Sequence, residues 1–499
     1  MHIDPVSLAY RAADVRELDR LTIENHGVPG IRLMSRAARA TFNKLIFLWP
    51  ETSRLAVFCG TGNNGGDGFL IAAYAQLKGI EATVYQLGES NNICGDALAA
   101  KNYALENGVK SLVFDTSLSM AADVVVDAML GTGLQREVAG AYAQAIEKIN
   151  DQQSPVLAVD IPSGLCSDTG QIRGSVVHAD HTVTFIGIKQ GCLTGQGPAY
   201  CGAIHYENLD VPAEIFDVVR PQSYRLNLQS LCKALPRRPR DSHKGANGRV
   251  LIVGGDLGYG GAVIMAAAAA GRSGAGLVSV ATRQQTIAGL LSRCPEAMGR
   301  EVKSGLELKP LIDNADVLAI GPGLGTSSWA EQMMQMVGAA KKPMIVDADG
   351  LNLIASQPAY MPLYCDDWIL TPHPGEAARL LGVTTEEVQA DRFAAVSALQ
   401  QRYGGVAVLK GAGTLIADES HIYISEYGNP GMASGGMGDV LSGVLAALVA
   451  QGLNLSEAAR LGVCAHSAAA DYAVASEGGE IGLLATDLLP HIRQLLNGL

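Results

Sequence analysis

The residues best placed to do chemistry are an aspartate and the glycine run before it. Residues 429–439 read NPGMASGGMGD and lead into the helix-like VLSGVLAALVA. Glycines that open a helix aim several backbone N–H groups at one point and so make an anion hole. Asp439 then falls in the first turn, where the helix dipole favours an ionised carboxylate able to act as base toward a substrate hydroxyl. The plainer alternative is an Asp cap with small residues for helix packing. Residues 410–414, KGAGT, follow the strand-like VAVL and set a glycine turn beside a cation, which suits a diphosphate. DADGLN at 347–352, TPHPGE at 371–376 and GPGLG at 321–325 also end strand-like runs, and His373 stands between two prolines that stiffen it, for contact or for the turn alone. No G-x-x-x-x-G-K-[ST] occurs, so a P-loop is excluded.

The first half carries a second group. GTGNNGGDG at 60–68 follows LAVFC and precedes FLIAAYAQLK, and it contains G-x-G-x-x-G at Gly60, Gly62 and Gly65. That spacing fits a pyrophosphate on a helix N-terminus, or simply a tight turn. Asn63 and Asn64 add amide oxygens, and Asp67 adds a carboxylate where the helix dipole favours it; such donors suit a hard cation. Asp127 closes VVVD before AMLGTGLQRE, whose Gly131 and Gly133 free the backbone, and Asp160 closes LAVD before Ile161, Pro162, Ser163 and Gly164. Any one such Asp could be capping a turn. Three neighbouring strand ends with acidic or amide groups form a site, because open α/β sheets bind ligands beyond the carboxyl ends of their strands. Lys189, in TFIGIKQG, offers a proton donor or phosphate contact, or is a solvated loop lysine.

Short β-branched runs alternate with Ala/Leu-rich segments of helical period, which predicts parallel sheets covered by helices. Strands are expected over 55–59, 82–87, 123–127, 156–161 and 182–186, then over 249–253, 277–281, 317–320, 344–347, 368–371, 406–409, 414–417 and 421–425. Between the two series the pattern breaks at 221–244 into PQSYRLNLQS and LPRRPRDSHK, read here as a linker between domains 1–220 and 225–499. A length of 499 residues favours more than one domain.

The 37 Lys+Arg against 49 Asp+Glu give a net charge of −12, which excludes a broad basic surface for nucleic acid or an acidic membrane. With 48% hydrophobic and 17% charged residues, the chain is globular rather than disordered. Aromatics at 5% leave little for base-stacking platforms. Nine cysteines, irregular and without C-x-x-C, argue against disulfide or zinc frameworks and predict a reducing cytoplasm. Asp4, Arg11, Asp14, Arg16, Glu17 and Asp19 interrupt the apolar centre a signal peptide would need. The longest apolar run, 440–453, is too short for a membrane span.

GTGNNGGDG, DAMLGTGLQRE, VDIPSGL and FIGIKQG, in that order, resemble the NAD(P)H-hydrate epimerase family over nearly all of 10–215. HKGANGRVLIVGG and AAAAAGRSGAGLV, with the loops of the second half, resemble the NAD(P)H-hydrate dehydratases of the ribokinase-like superfamily over about 225–499. Together they resemble the bifunctional NAD(P)H-hydrate repair family. The resemblance implies an α/β chain, a Rossmann-like three-layer domain followed by a ribokinase-like domain. It implies substrate contacts at Asn63, Asn64, Gly65, Gly66 and Asp67, at Gly131, Thr132, Gly133, Leu134, Gln135, Arg136 and Glu137, and at Asp160, with Asp160 and Lys189 in acid–base work. Potassium would sit on Asn64, Asp127 and Ser163. In the second domain Ala262, Gly323, His373 and Asp439 would meet the nicotinamide hydrate, with Asp439 catalytic, while Lys410, Gly411, Ala412, Gly413, Thr414 and Gly438 would hold ADP or ATP with Mg2+. A homo-oligomer is expected.

Three rivals remain at this level. A dehydrogenase would use 60–68 for NAD and Glu89, roughly 24 residues beyond Gly65, for the ribose, but nothing supplies a hydride acceptor site. A small-molecule hydroxyl kinase would use Asp439 and its loop, leaving the first domain unexplained. A non-enzymatic first domain, nucleotide-sensing or partner-binding, would have no need of its strand-end carboxylates.

Overall fold

The computed structural model describes residues 5–134, 136–221, 223–356 and 364–498. The chain divides into two compact units, Met1–Tyr224 and Arg225–Leu499.

In the first unit, strands β1 (Leu8–Tyr10), β2 (Arg54–Cys59), β3 (Glu81–Gln86), β4 (Lys110–Val113), β5 (Val124–Ala128), β6 (Val156–Val159), β7 (His181–Phe185), β8 (Ile188–Lys189) and β9 (Ala203–Glu207) follow in chain order. A seven-stranded sheet runs β4-β3-β2-β5-β6-β7-β9, and its pairings are parallel. Its central strands are buried on both faces, which is why VVVDA and RLAVFC read as continuous apolar runs. Leu55, Val57, Val124 and Val126 face one core with the helices Gly30–Leu48 and Asn63–Leu77. Ala56, Phe58, Val125 and Ala158 face the other with Ala145, Ile146 and Ile149 of the helix Ala141–Asn150. The result is three layers. The glycines at the start of Asn63–Leu77 let that helix sit directly on the strand ends: a Cβ on Gly68 would lie 2.6 Å from Ala128 Cβ and 2.7 Å from Cys59 Sγ. β1 pairs with β8, and with the strand β10 (Ser223–Arg225) through Leu8–Tyr224 and Ala9–Ser223.

The second unit contains β11 (Arg249–Val253), β12 (Leu277–Thr282), β13 (Met298–Glu301), β14 (Val317–Ile320), β15 (Met344–Val346), β16 (Trp368–Leu370), β17 (Val406–Leu409), β18 (Thr414–Ala417) and β19 (Ile422–Ser425). They run β13-β12-β11-β14-β15-β16-β17-β18-β19, parallel up to β17 and then antiparallel through the β18–β19 hairpin. The apolar run after Asp439 is the helix Met437–Ala450, nearly all of it buried. It packs on the Ala-rich helix Gly260–Arg272, where Gly443 permits close approach: a Cβ there would lie 2.1 Å from Ala266 O. No helix of the described residues is long and apolar enough to cross a membrane.

The segment 221–244 differs from the expected linker. Ser223 and Tyr224 pair with β1. Leu228, in the helix Leu228–Cys232, is buried in the core of the second unit, with Leu226, Leu231, Cys232 and Leu235 packed against it. Leu226, Leu228, Leu231 and Leu235 recur every two to four residues, so this half of the segment buries a face, and the Pro/Arg run after it is tied down in turn by Arg238, which donates to Gln451 Oε1 at 2.9 Å.

Candidate functional site

Each unit gathers its candidates beyond the carboxyl ends of its parallel strands. In the first, a cavity of about 540 Å³ is lined by Asn63, Asn64 and Asp67 from the start of Asn63–Leu77, by Gly131, Thr132, Gly133, Leu134 and Arg136 from the loop after β5, and by Asp160 and Lys189. Glu137 is exposed and is not among the lining residues, and Gln135 lies outside the described residues. Gly65 and Gly66 do not line the cavity either: a Cβ on Gly65 would lie 2.0 Å from Gly60 O, and one on Gly66 would lie 2.7 Å from Met34 Sδ. Gly65 lets the Asn63–Asp67 turn close on the end of β2, and Gly66 lets it close on the helices carrying Met34 and Ala97.

Lys189 is buried, not the solvated loop lysine of the alternative reading, and its ammonium bonds Asp160 Oδ1, Thr184 Oγ1 at 3.2 Å and Phe185 O at 3.1 Å. Asp160 has φ +68, and Ile186 and Leu209, which also line the cavity, have φ +59 and +55. Left-handed backbone at three non-glycine residues around one cavity marks a wall held by its surroundings rather than by local preference. Asp67 differs from expectation. Burial pushes its carboxyl well above the usual range, with Asp160 and Asp19 adding to the rise and Lys189 opposing it. Desolvation therefore outweighs the helix dipole. Asp19, on the helix Ala12–Arg20, joins this group although nothing in its local sequence marks it out.

Asp127 and Ser163 lie beneath the cavity, fully buried. Asp127 accepts Ser163 N at 2.7 Å, Ser163 Oγ at 2.6 Å and Met129 N at 3.2 Å, while Ser163 Oγ accepts Leu130 N at 2.8 Å. Burial pushes the Asp127 carboxyl up to about 6, against these bonds. Asn64 packs against Gly131, whose Cβ would stand 3.5 Å from Asn64 Cγ, and its Nδ2 is buried without a partner. The oxygen and nitrogen of such an amide are interchangeable by rotation, so the same site can present Oδ1.

In the second unit the loops after β14, β15, β16 and β17 converge. Gly325 N donates to Asp349 at 2.8 Å, and Lys410 Nζ lies 2.7 Å from Asp347 Oδ1 and 3.9 Å from Glu376 Oε2. Ser442 Oγ donates to Asp347 Oδ2 at 3.0 Å. Burial alone would raise the Asp347 carboxyl, but Lys410 and the bonds from Lys410, Thr371 and Ser442 hold it below the usual range. Asp347 and Glu376 are thus the polar centre of this site, a role that their strand-end positions suggested without assigning. Asp439 sits in the first turn of Met437–Ala450 behind Gly436, which has φ +93. Its carboxyl is pushed up to about 7, first by burial, then by Asp347, with Lys410 opposing. The dipole-held ionised Asp of the sequence reading is therefore corrected to one that titrates near neutrality, where a general base works best.

Gly438 stands at the Asp347–Lys410 pair, and Gly323, φ +55, meets Ala262: a Cβ on it would lie 3.1 Å from Ala262 Cβ. His373 caps the helix Pro374–Leu381, its Nδ1 accepting Gly375 N at 3.0 Å, so the turn-building role exists alongside any ligand contact. In 410–414, Gly411 and Gly413 have φ +139 and +60, and Thr414 Oγ1 donates to Gly411 O at 2.9 Å. Buried Arg392 underlies this turn, donating to Leu409 O at 3.2 Å and Lys410 O at 3.3 Å. The spacing of the sequence carried no sign of it.

A Rossmann-like three-layer domain with an acid-lined cavity, followed by a ribokinase-like domain whose strand-end loops meet a glycine-opened helix, defines a two-domain α/β enzyme. A family model described as NAD(P)H-hydrate dehydratase matches residues 250–494, and one described as YjeF-related protein N-terminus matches residues 30–191. The bifunctional NAD(P)H-hydrate repair enzyme of Coxiella burnetii is 48% identical over 493 residues, 99% of this chain and 100% of its own. That of Escherichia coli is 42% identical over 502 residues, 100% of this chain and 96% of its own. Among solved structures, a ribokinase-like superfamily protein from Enterococcus faecalis has 32% identity and TM-score 0.52, covering 56% of this chain and 96% of that one. A hypothetical protein from Streptococcus mutans has 36% identity and TM-score 0.51, covering 55% and 99%. The chain belongs to the family of bifunctional NAD(P)H-hydrate repair enzymes.

Proposed function

We propose that domain 1–220 interconverts the R and S hydrates of NAD(P)H and that domain 225–499 dehydrates the S form, consuming ADP and releasing AMP and phosphate. The observation that carries the second activity is Asp439, titrating near neutrality in the first turn of a glycine-opened helix beside the Lys410–Asp347 pair. Asp439 takes the proton of the ring hydroxyl at C6, and that oxygen attacks the terminal phosphorus of the nucleotide. The bond from phosphorus to the AMP oxygen breaks. Phosphate then leaves C6 as a proton leaves C5, restoring the C5=C6 bond. Backbone N–H groups of the glycine-rich turns are suited to the phosphoryl oxygens.

Mg2+ belongs with the nucleotide. The described residues hold no group of three or more His, Cys, Asp or Glu fit for a metal ion, so the phosphates would supply most of its ligands, as is usual for this ion. Potassium fits the first domain: Asn64, Asp127 and Ser163 offer oxygen donors with one formal charge, and the partnerless Asn64 amide can turn its oxygen to a cation. Bound there, the ion would offset the buried charge of Asp127. The reading includes a cytoplasmic setting and a homo-oligomer, checked by sizing in solution.

The deciding experiment supplies mixed R and S hydrate with ADP or ATP in turn and follows recovery of dihydronicotinamide absorbance. Full recovery at an enzyme-dependent rate is expected. No recovery with either nucleotide defeats the proposal.

A further inference from the structure

Four ionisable groups from four separate elements face the cavity of the first domain: Asp19 of the helix Ala12–Arg20, Asp67 of Asn63–Leu77, Asp160 at the end of β6, and Lys189 of β8. Arg16, Asp96 and Arg136 complete its charged lining. Arg16 and Arg136 are exposed, so the buried part of the lining sets Asp19, Asp67 and Asp160 against the single ammonium of Lys189, and burial there favours the protonated form of a carboxyl. Lys189 is bonded to Asp160. Asp19 and Asp67 are the carboxyls of this group in which burial and the neighbouring carboxylates favour the proton. Asp67 is buried at the foot of its helix, whereas Asp19 is partly exposed and can recover a proton from water after each turnover.

We propose that Asp19 is the proton donor of the epimerase cavity, acting on the C6 hydroxyl of the bound hydrate opposite the Asp160–Lys189 pair. This rests on the epimerase reading above. Asp19 gives its proton to the hydroxyl oxygen, and the C6–O bond breaks as the lone pair of the ring nitrogen forms the N1=C6 double bond. Water leaves. Water then adds to the other face of C6, the nitrogen recovers its pair, the proton shed by the new hydroxyl passes to solvent, and the partly exposed Asp19 carboxylate takes one back from solvent. Nothing is consumed, and the configuration at C6 is inverted. The acidity of Asp19 suits the task, since burial pushes it up to about 6, with Lys189 opposing and Asp160 adding.

The test uses the full chain without ADP, one purified NADPH-hydrate epimer, and chromatographic measurement of the R/S ratio above the uncatalysed rate. Asp19→Asn should slow epimerisation by roughly 10² to 10⁴. Wild-type kcat/KM should fall as pH rises above about 6, and that limb should vanish in the variant. ADP-dependent dehydration of the S hydrate should be unchanged. Epimerisation by Asp19→Asn within threefold of wild type, or the same pH limb in both, overturns the proposal. If Asp19→Asn loses its melting transition, Asp19→Glu decides: recovery to within tenfold of wild type supports the donor role, and a folded, equally inactive Glu variant overturns it. A wild-type protein that never exceeds the uncatalysed rate defeats the epimerase reading and this proposal together, which separates that failure from an active enzyme indifferent to Asp19.

Discussion

Lys410 Nζ lies 2.7 Å from Asp347 Oδ1, and a Cβ placed on Gly438 would stand 3.3 Å from the same nitrogen and 3.1 Å from Asp347 Oδ2. The end of β17, the end of β15 and the start of the helix carrying Asp439 thus meet at one ion pair. Asp347 is buried, so removing its partner leaves an uncompensated charge. Lys410→Met should cost about 3–5 kcal/mol in denaturant unfolding of the second domain. Adding Asp347→Asn should return a large part of that loss. Strictly additive losses in the double variant would show that the two side chains do not act as a pair. Lys410 also opposes the rise of the Asp439 carboxyl, so in Lys410→Met the Asp439-dependent limb of the pH–rate profile should move to higher pH.

Asp439 has a signature in stability as well as rate. Its folded carboxyl titrates at about 7, above its unfolded value of 3.8, so the proton is bound more tightly in the folded state. The stabilisation this provides is complete below the unfolded value and is lost as pH rises through about 7. Asp439→Asn escapes that loss. Its stability relative to wild type should grow between pH 4 and 7 and stay level above, by about 2 kcal/mol after allowance for partial exposure. Dehydration by the same variant should fall roughly 10²- to 10⁴-fold, with epimerisation untouched. Wild-type kcat/KM for dehydration should climb through pH 7. Near-wild-type dehydration by Asp439→Asn would remove the residue from the mechanism.

What the sequence makes legible follows burial. The central strands, such as VVVDA and VLAI, are apolar along their whole length and were expected almost residue for residue. The edge strands β4, β9 and β13, with sequences KSLV, AIHYE and MGRE, carry too little apolar pattern to be told from loops. β1 and β8 are only three and two residues long. Motif loops at strand ends were readable because glycine and acidic residues cluster there. Asp19 and Arg392 were not, since each lies on an ordinary helix and reaches its site only through tertiary packing. The Asp67 and Asp439 carboxyls were assigned their charge from the helix dipole, a local effect that burial, a property of the whole fold, overrides.

Asp127 separates the two activities. Asp127→Ala removes the only formal charge among the expected potassium donors, leaves the Ser163 amide without its acceptor and leaves the Ser163 hydroxyl the longer bond to Leu130 O at 3.3 Å. Epimerisation should be abolished while ADP-dependent dehydration of S hydrate persists. The ion itself can be read from melting: potassium at 100 times its dissociation constant should stabilise the first domain by about 2.7 kcal/mol, with no such effect on the variant. Equal loss of both activities would identify Asp127 as a purely structural residue. An identical response of wild type to potassium and to an inert organic cation would reject the site.

The boundary between the domains gives the last prediction. Leu228 is buried in the core of the second unit, and Leu226, Leu231 and Leu235 pack on it, so a cut after this segment strips apolar cover that a cut before it retains. Burying a Leu side chain contributes about 1.5–3 kcal/mol. Fragment 236–499 should therefore unfold at clearly lower denaturant than fragment 225–499, and Leu228→Ala in the longer fragment should recover part of the difference by lowering its midpoint too. On the first side, fragment 1–224 retains Ser223 and Tyr224 against β1, whereas 1–220 does not, so the longer piece should be the more stable. Fragment 225–499 should dehydrate only the S hydrate. Rapid, complete recovery of R hydrate by that fragment would reject the division of labour, and equal stability of 225–499 and 236–499 would return residues 226–235 to the status of a linker.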